Sequence, residues 1–258
     1  MANLRLITEG IDLHTIDAVT SEATGYEKEY LQDRKLATSW KATSTDDQYI
    51  DIDTEDDDFS ASYCFLYHNI HHNGTSAQVW VYSDDNPNFT SPTSRGNIII
   101  FEGGSTPYAL ILFSGDINER YWRIKITGSD VAPQVYLIFL GSAVAGFSGI
   151  TIRYKLGQSE EKIYDGVKLI TTPGGYRSAR QYHIGRKIFE YEWEHLDVTD
   201  EAALQAAIGF TNGKGLPFFL GDIDASYHYV RFMNDRIGSI MPYSDFYNTG
   251  RIMFQEEF

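Results

Sequence analysis

The sequence predicts a mainly β fold in two halves: a jelly-roll β-sandwich followed by a β-sandwich with one short flanking helix. Three observations predict it. Short runs of strictly alternating apolar and polar residues recur along the chain, the period-two mark of half-buried strands. Turn residues (Gly, Asn, Asp, Pro) separate those runs at short intervals. The composition is aromatic, with 18 Tyr and 15 Phe in 258 residues, which suits pleated surfaces better than helices.

Taken in order, residues 1–29 read as an extended lead-in with one strand near 4–7. Residues 30–40 form a loop that closes on a buried Trp40. Residues 49–53 alternate as a strand, and Asp56, Asp57 and Asp58 turn the chain. Strands follow at 63–68 and 78–83, with the polar turn 69–76 between them. Residues 84–96, with Pro87 and Pro92, read as a long loop. Apolar strands are expected at 97–101, 108–113 and 134–140. Residues 120–126 alternate cleanly, setting Tyr121, Arg123 and Lys125 opposite Trp122, Ile124 and Ile126. Such a series of short strands without helical period means a sandwich or jelly roll. Residues 141–149 (GSAVAGFSG) are small, and they set the domain boundary: 1–145, then 146–258.

The second domain opens with strands at 150–156 and 167–171, and its most informative stretch is 186–220. From Arg186 to His195 the chain alternates, with Phe189, Tyr191 and Trp193 on one face and Ile188, Glu190, Glu192 and Glu194 on the other. The period then changes. Thr199 is an N-cap, Asp200 and Glu201 complement the helix dipole, and Leu204, Ala207 and Ile208 follow at helical spacing. Gly209 and the Asn212-Gly213 pair end this helix, at about 199–209, before a buried strand at 216–220. Tyr227 to Phe232 is a strand, 243–249 a loop, and Arg251 to Phe254 a closing strand.

Charge divides unevenly. Residues 1–149 carry 9 Lys and Arg against 21 Asp and Glu; residues 150–258 carry 12 against 15. This acidity argues against nucleic-acid and anionic-membrane surfaces as partners. The single cysteine, Cys64, lies in an apolar run and reads as a small buried hydrophobe. No apolar segment has the length to span a bilayer, and the first residues lack a signal-peptide core, so folding in a cytoplasm is expected. Asn73 and Asn88 begin glycosylation sequons, short enough to occur by chance.

His68, His71 and His72 form a histidine cluster, but a metal needs further ligands, and a polar turn explains them. The acidic run Asp51 to Asp58 invites calcium; counted from Asp53, a helix-loop-helix calcium loop would need Gly at Asp58 and Glu at Cys64. A solvated turn is the simpler reading, with a non-standard calcium site in that loop as its alternative. Residues 209–215 (GFTNGKG) miss the phosphate-loop spacing and follow a helix instead of preceding one. Gly146-Phe147-Ser148-Gly149 lacks the nucleophile elbow. No catalytic, metal or cofactor residue is therefore assigned, and no enzyme is expected. Tyr108, Phe89, Tyr243, Phe246 and Tyr247, in or beside predicted loops, remain as aromatics that stack on sugars or anchor an interface.

A resemblance bears on function. Residues 33–40 (DRKLATSW), 49–53, 78–85 (QVWVYSDD) and Tyr121-Trp122-Arg123-Ile124 resemble the galactose-binding-like, discoidin-type jelly roll over about 30–141. With Ile138-Phe139-Leu140-Gly141, they are similar to domains of bacteriophage tail-tip proteins. In the second half, residues 175–178 (GYRS), 189–193 (FEYEW), the helix from Thr199 and residues 213–219 (GKGLPFF) resemble the tail-tube-like β-sandwich of distal tail proteins, in reversed domain order. The resemblance implies a structural tail-tip or baseplate protein of the virion: a homo-oligomeric ring of six copies joining tail tube, hub and fibres, with cell-surface glycan as a further partner. The alternative is a carbohydrate-binding module recognising cell-surface glycan. The family's sugar-binding loops vary, so no ligand residue is carried over.

Overall fold

The computed structural model describes residues 5–70, 77–100, 107–142, 159–163, 167–171, 177–181, 186–191, 198–221, 226–233, 241–243, 246–248 and 252–257. The chain divides into two compact units: Ile7–Ala143, and Val144–Phe258 together with the chain start, Met1–Leu6. The start of the chain thus counts with the second unit: strand β1 (Arg5–Ile7) lies beside a strand encoded more than 200 residues later.

The first unit is a β-sandwich. Its strands are β2 (Thr15–Val19), β3 (Trp40–Lys41), β4 (Gln48–Asp53), β5 (Ser60–His68), β6 (Ala77–Asp84), β7 (Thr93–Ile100), β8 (Tyr108–Asn118), β9 (Tyr121–Thr127) and β10 (Gln134–Gly141). Among the described residues they form a four-stranded sheet, β3-β10-β5-β8, and a five-stranded one, β2-β4-β9-β6-β7, with antiparallel neighbours throughout. Ile50, Ile52, Val79, Val81, Trp122, Ile124 and Ile126 belong to the same buried cluster as Val135, Ile138 and Leu140 of the other sheet. The alternation of 120–126 is met as expected: Trp122, Ile124 and Ile126 are buried, and Tyr121, Arg123 and Lys125 are half-buried on the other face. Both core indoles find acceptors, Trp40 Nε1 on the Ser21 carbonyl at 3.0 Å and Trp122 Nε1 on the Glu119 carbonyl at 2.9 Å. Burial therefore costs neither ring its hydrogen bond.

β5 is buried on both faces, from Tyr63 through Leu66. Cys64 and Leu66 enter the inter-sheet core, while Phe65 meets Phe139 edge-on at 6.3 Å on the other face. The Arg34 guanidinium lies 5.5 Å from the Phe139 ring centroid.

In the second unit a six-stranded sheet runs β1-β15-β16-β19-β14-β11. Its members are β11 (Ser159–Ile163), β14 (Arg186–Tyr191), β15 (Phe218–Gly221), β16 (Tyr227–Phe232) and β19 (Ile252–Glu256), beside β1. Two hairpins complete the described strands, β12 (Val167–Thr171) with β13 (Arg177–Gln181), and β17 (Met241–Tyr243) with β18 (Phe246–Asn248). Helix α1 (Val198–Phe210) contributes Ala203, Leu204 and Ala207 to a core with Phe189, Tyr191, Phe218, Leu220, Val230, Phe232, Ile252 and Phe254. The helix ends as its sequence requires. Asn212 and Gly213 take left-handed φ values of 50° and 62°, and the Gly213 N–H donates to the Ile208 carbonyl at 2.9 Å.

Several expectations are corrected. The lead-in holds strand β2, whose exposed Thr15, Asp17 and Ala18 hide its pairing from any hydrophobic count. β7 begins at Thr93, inside the expected 84–96 loop, because this edge strand is mostly exposed and carries little apolar signal there. β8 runs on to Asn118 instead of stopping at Phe113. The expected 243–249 loop is the β17–β18 hairpin. Ile188, expected on a solvent face with the glutamates, is 6% exposed. The expected strand 150–156 and Trp193 lie outside the described residues.

Candidate functional site

The outer face of the five-stranded sheet gathers the candidate side chains. Strands β4, β9 and β6 are neighbours there, and residues opposite one another in a ladder share a face. Register puts Tyr49, Lys125, Trp80 and Asn97 in one row across the strands, and Asp51, Arg123 and Tyr82 in the next. A third row holds Asp53, Tyr121 and Asp84. Tyr49, Trp80, Tyr82 and Tyr121 are half-exposed, an aromatic load that the solvent side of an antiparallel sheet does not need for folding. Trp80 and Tyr82 stack with centroids 6.2 Å apart and planes within 16°, and Trp80 Nε1 donates to Gln78 Oε1 at 3.0 Å.

Carboxylates hold the cations between these rings. Arg123 donates bidentately to Asp51 at 2.6 and 2.7 Å, and Arg120 bidentately to Asp53 at 2.7 and 3.0 Å. Lys125 Nζ stands 2.9 Å from Asp47. The fork geometry explains why arginine serves in the two bidentate pairs. The Arg120 hydrogen bonds hold the Asp53 carboxyl below its ordinary range, and the bonds to Asp51 and Asp47 raise Arg123 and Lys125. Each of these three cations therefore stands against a carboxylate of its own.

A loop closes over one side. Asp84 accepts from the Asn86 and Ser91 amides at 3.1 and 3.0 Å, and Asn86 Oδ1 accepts from the Asn88 amide at 2.9 Å. Burial opposes the Asp84 charge, but these amide bonds hold its carboxyl below the ordinary range. The same turn forces Phe89 to φ 47°, a left-handed value an aromatic residue rarely takes. Its ring then lies 4.1 Å from the Arg123 guanidinium, which is also 4.9 Å from Tyr49. Arg123 is thus fixed by one carboxylate and two aromatic rings.

The residues singled out by sequence fare differently. Phe89 is brought to this face, but buried, as the prop beneath Arg123. Tyr108 begins strand β8 and stacks on Phe65 at 5.9 Å, away from this face. Tyr243, Phe246 and Tyr247 fall in the β17–β18 hairpin, and their side chains lie outside the described residues. His68 is buried at the end of β5; its Nδ1 accepts from the Ile70 amide at 3.1 Å, and burial pushes its pKa down to about 4. His71 and His72 lie outside the described residues, as do Asn73 and residues 146–149. The acidic run is divided: Asp51 and Asp53 are held by arginines, and Asp56, Asp57 and Asp58 form an exposed turn. Among the described residues no group of three or more His, Cys, Asp or Glu is placed to hold a metal ion. Residues 209–215 are the end of α1 and the turn after it. Cys64 is fully buried, which pushes its thiol well above the ordinary range. The Tyr49–Trp80–Tyr82 set was missed because Tyr49 lies on β4 and Trp80 and Tyr82 on β6, two strands encoded apart. The alternation marked each as outward, but nothing in sequence showed that their strands are neighbours.

No family model matches the chain, and no curated protein matches it. Solved structures are similar over about half of it. A Ruminococcus gnavus GH29 fucosidase in complex with fucose aligns at TM-score 0.43 and 11% identity, covering 54% of this chain and 27% of that one. The family 32 carbohydrate-binding module of C. perfringens NanJ, in complex with galactose, aligns at TM-score 0.42 and 12% identity, covering 53% and 98%. Chitosan-binding module 1 of a Paenibacillus sp. IK-5 chitosanase/glucanase aligns at 0.38 and 16%, covering 51% and 98%. The chain spans less than a third of the length of the GH29 proteins it matches.

Proposed function

We propose that the first unit is a non-catalytic glycan-binding module and that the outer face of its five-stranded sheet is the binding surface. One observation carries the reading: half-exposed Tyr49, Trp80 and Tyr82 flank Arg123 and Lys125 on three hydrogen-bonded strands. Rings of this kind offer apolar area with little rotamer freedom to lose, and the paired side chains between them offer hydrogen bonds to hydroxyl groups. Binding of the purified full chain to immobilised glycans, with loss of the signal in Trp80→Ala, is the expected result. A chain that binds no glycan, or a Trp80→Ala variant that binds as before, overturns it.

A second reading, the ring-forming component of a phage tail tip, is favoured by a different observation. Among the described strands, the six-stranded sheet of the second unit ends on β1 and β11, and a terminal strand is the place where another copy would add a strand. The weak net charge of residues 150–258 suits a surface shared between copies. Native mass spectrometry decides it: a single stoichiometry, six copies on the resemblance, supports the ring, and a monomer at all concentrations removes it.

A further inference from the structure

We infer that Glu9 is a proton-operated latch on the start of the chain, closed over Gly141 while its carboxyl is neutral and released as that carboxyl ionises.

Placement comes first. The first unit is entered at Ile7 and left at Ala143, so two lengths of chain join it to the second. Glu9 stands just inside one crossing and Ser142 just inside the other. Glu9 Oε2 accepts from the Ser142 amide at 2.7 Å, a contact between residues 133 apart in sequence. Neighbouring residues reinforce it. Gly10 bridges to Phe139, and the Ser142 hydroxyl donates to the Ser60 carbonyl at 2.8 Å. The carboxylate lies directly over Gly141, where a Cβ would stand 1.7 Å from Oε2. Gly141 is the seat of the latch, and only a residue without a side chain leaves room for it.

Charge decides which state is closed. Tyr63, opposite Gly141 in the β5–β10 ladder, accepts from the Glu9 amide, and burial pushes its phenol far above the ordinary range, so it stays neutral. Arg34 and Asp12, which close over Gly10, are held to each other at 2.6 Å. Burial is the larger influence on the Glu9 carboxyl and disfavours its charge; the Ser142 amide favours the charge, but by less. The pKa is raised to about 7, so the neutral carboxyl is the form that suits the closed latch. Ionisation leaves a half-buried charge against one amide donor among the described residues, and opening to water relieves it.

What the latch holds is β1. That strand ends at Ile7, immediately before the latch, and has three residues at one end of the six-stranded sheet. Its Leu6 belongs to the core of the second unit. A terminal strand this short depends on that side chain and on its tether. Opening therefore spreads from Glu9 into β1, while β4 and β9 keep their pairing.

The test is hydrogen exchange of the full chain, read by mass spectrometry at about pH 5.5 and about pH 8.5 and corrected for intrinsic exchange rates. Protection of segments 5–10 and 139–142 is expected to fall at least about tenfold at the higher pH, because the opened carboxyl regains its ordinary pKa. In Glu9→Gln, uncharged at both pH values, the same segments should keep their protection. Segments in β4 and β9 should hold in both proteins. If the variant fails to fold by circular dichroism, the wild type carries the test, with Glu9 titrated by carbon-13 NMR; exchange and carboxyl must then share one midpoint. Protection that ignores pH, a fall that Glu9→Gln shares, or an equal fall in β4 and β9 overturns the latch, and so do separate midpoints.

Discussion

Glu9 shows how much one side chain can depend on its distant neighbours. Its carboxylate accepts from the Ser142 amide at 2.7 Å and occupies the space over Gly141, where a Cβ would stand 1.7 Å from Oε2. Burial raises its pKa from 4.5 to about 7, against the opposing pull of the Ser142 amide. The folded value lies above the unfolded one. The stability linked to Glu9 is therefore complete below about pH 4.5 and is lost as pH rises through about 7. Thermal melts should show the wild-type midpoint falling, relative to Glu9→Gln, between pH 5 and pH 8; parallel pH profiles would contradict this account. The same contact predicts a coupling. Gly141→Ala should destabilise by about 1–3 kcal/mol through overpacking, and much of that cost should vanish in a Glu9→Ala background, as a double-mutant cycle by urea denaturation would read.

Among the elements, α1 combines strong local signals with one well-defined buried face. Leu204 is 1% exposed in the core of the second unit, whereas Gln205 beside it faces solvent. Leu204→Ala should cost about 2–5 kcal/mol and Gln205→Ala less than about 0.5 kcal/mol, by chemical denaturation of the full chain. Strand β9 makes the corresponding case in the first unit, where one face enters the core and the other carries Arg123. Asp51→Ala leaves that guanidinium without its carboxylate and should destabilise by about 1 kcal/mol, with weak salt dependence because the pair is partly covered. The alternation of β4, β6 and β9 was legible residue by residue in the sequence. β2 and the start of β7 were not, because their exposed residues give no hydrophobic contrast.

At the scale of the whole molecule, the two cores share no residue: Trp40, Trp122 and their neighbours form one, and the Phe-rich set around Phe218 and Phe254 forms the other. Trp122→Ala should remove about 3–5 kcal/mol from the first unit. Hydrogen exchange read by mass spectrometry should then show lost protection in β4, β6 and β9 and unchanged protection in β15, β16 and β19. Equal loss in both units would mean that they unfold as one. The entry of β1 into the six-stranded sheet shows that the units are not simply two consecutive lengths of chain.

By itself the sequence determined the mainly β class, the one helix with its Asn212-Gly213 end, and which side of most strands enters a core. Each of these follows from a period or a turn spanning a few residues. Tertiary structure alone decided which strands are neighbours, and so which outward residues meet. It joined Asp51 to Arg123, 72 residues apart, and Glu9 to Ser142, 133 apart. It also laid Tyr49 beside Trp80 across β9. The physical reason is that facing is a local property of a pleated strand. Adjacency depends on how the whole chain packs its cores, which no short window of sequence contains.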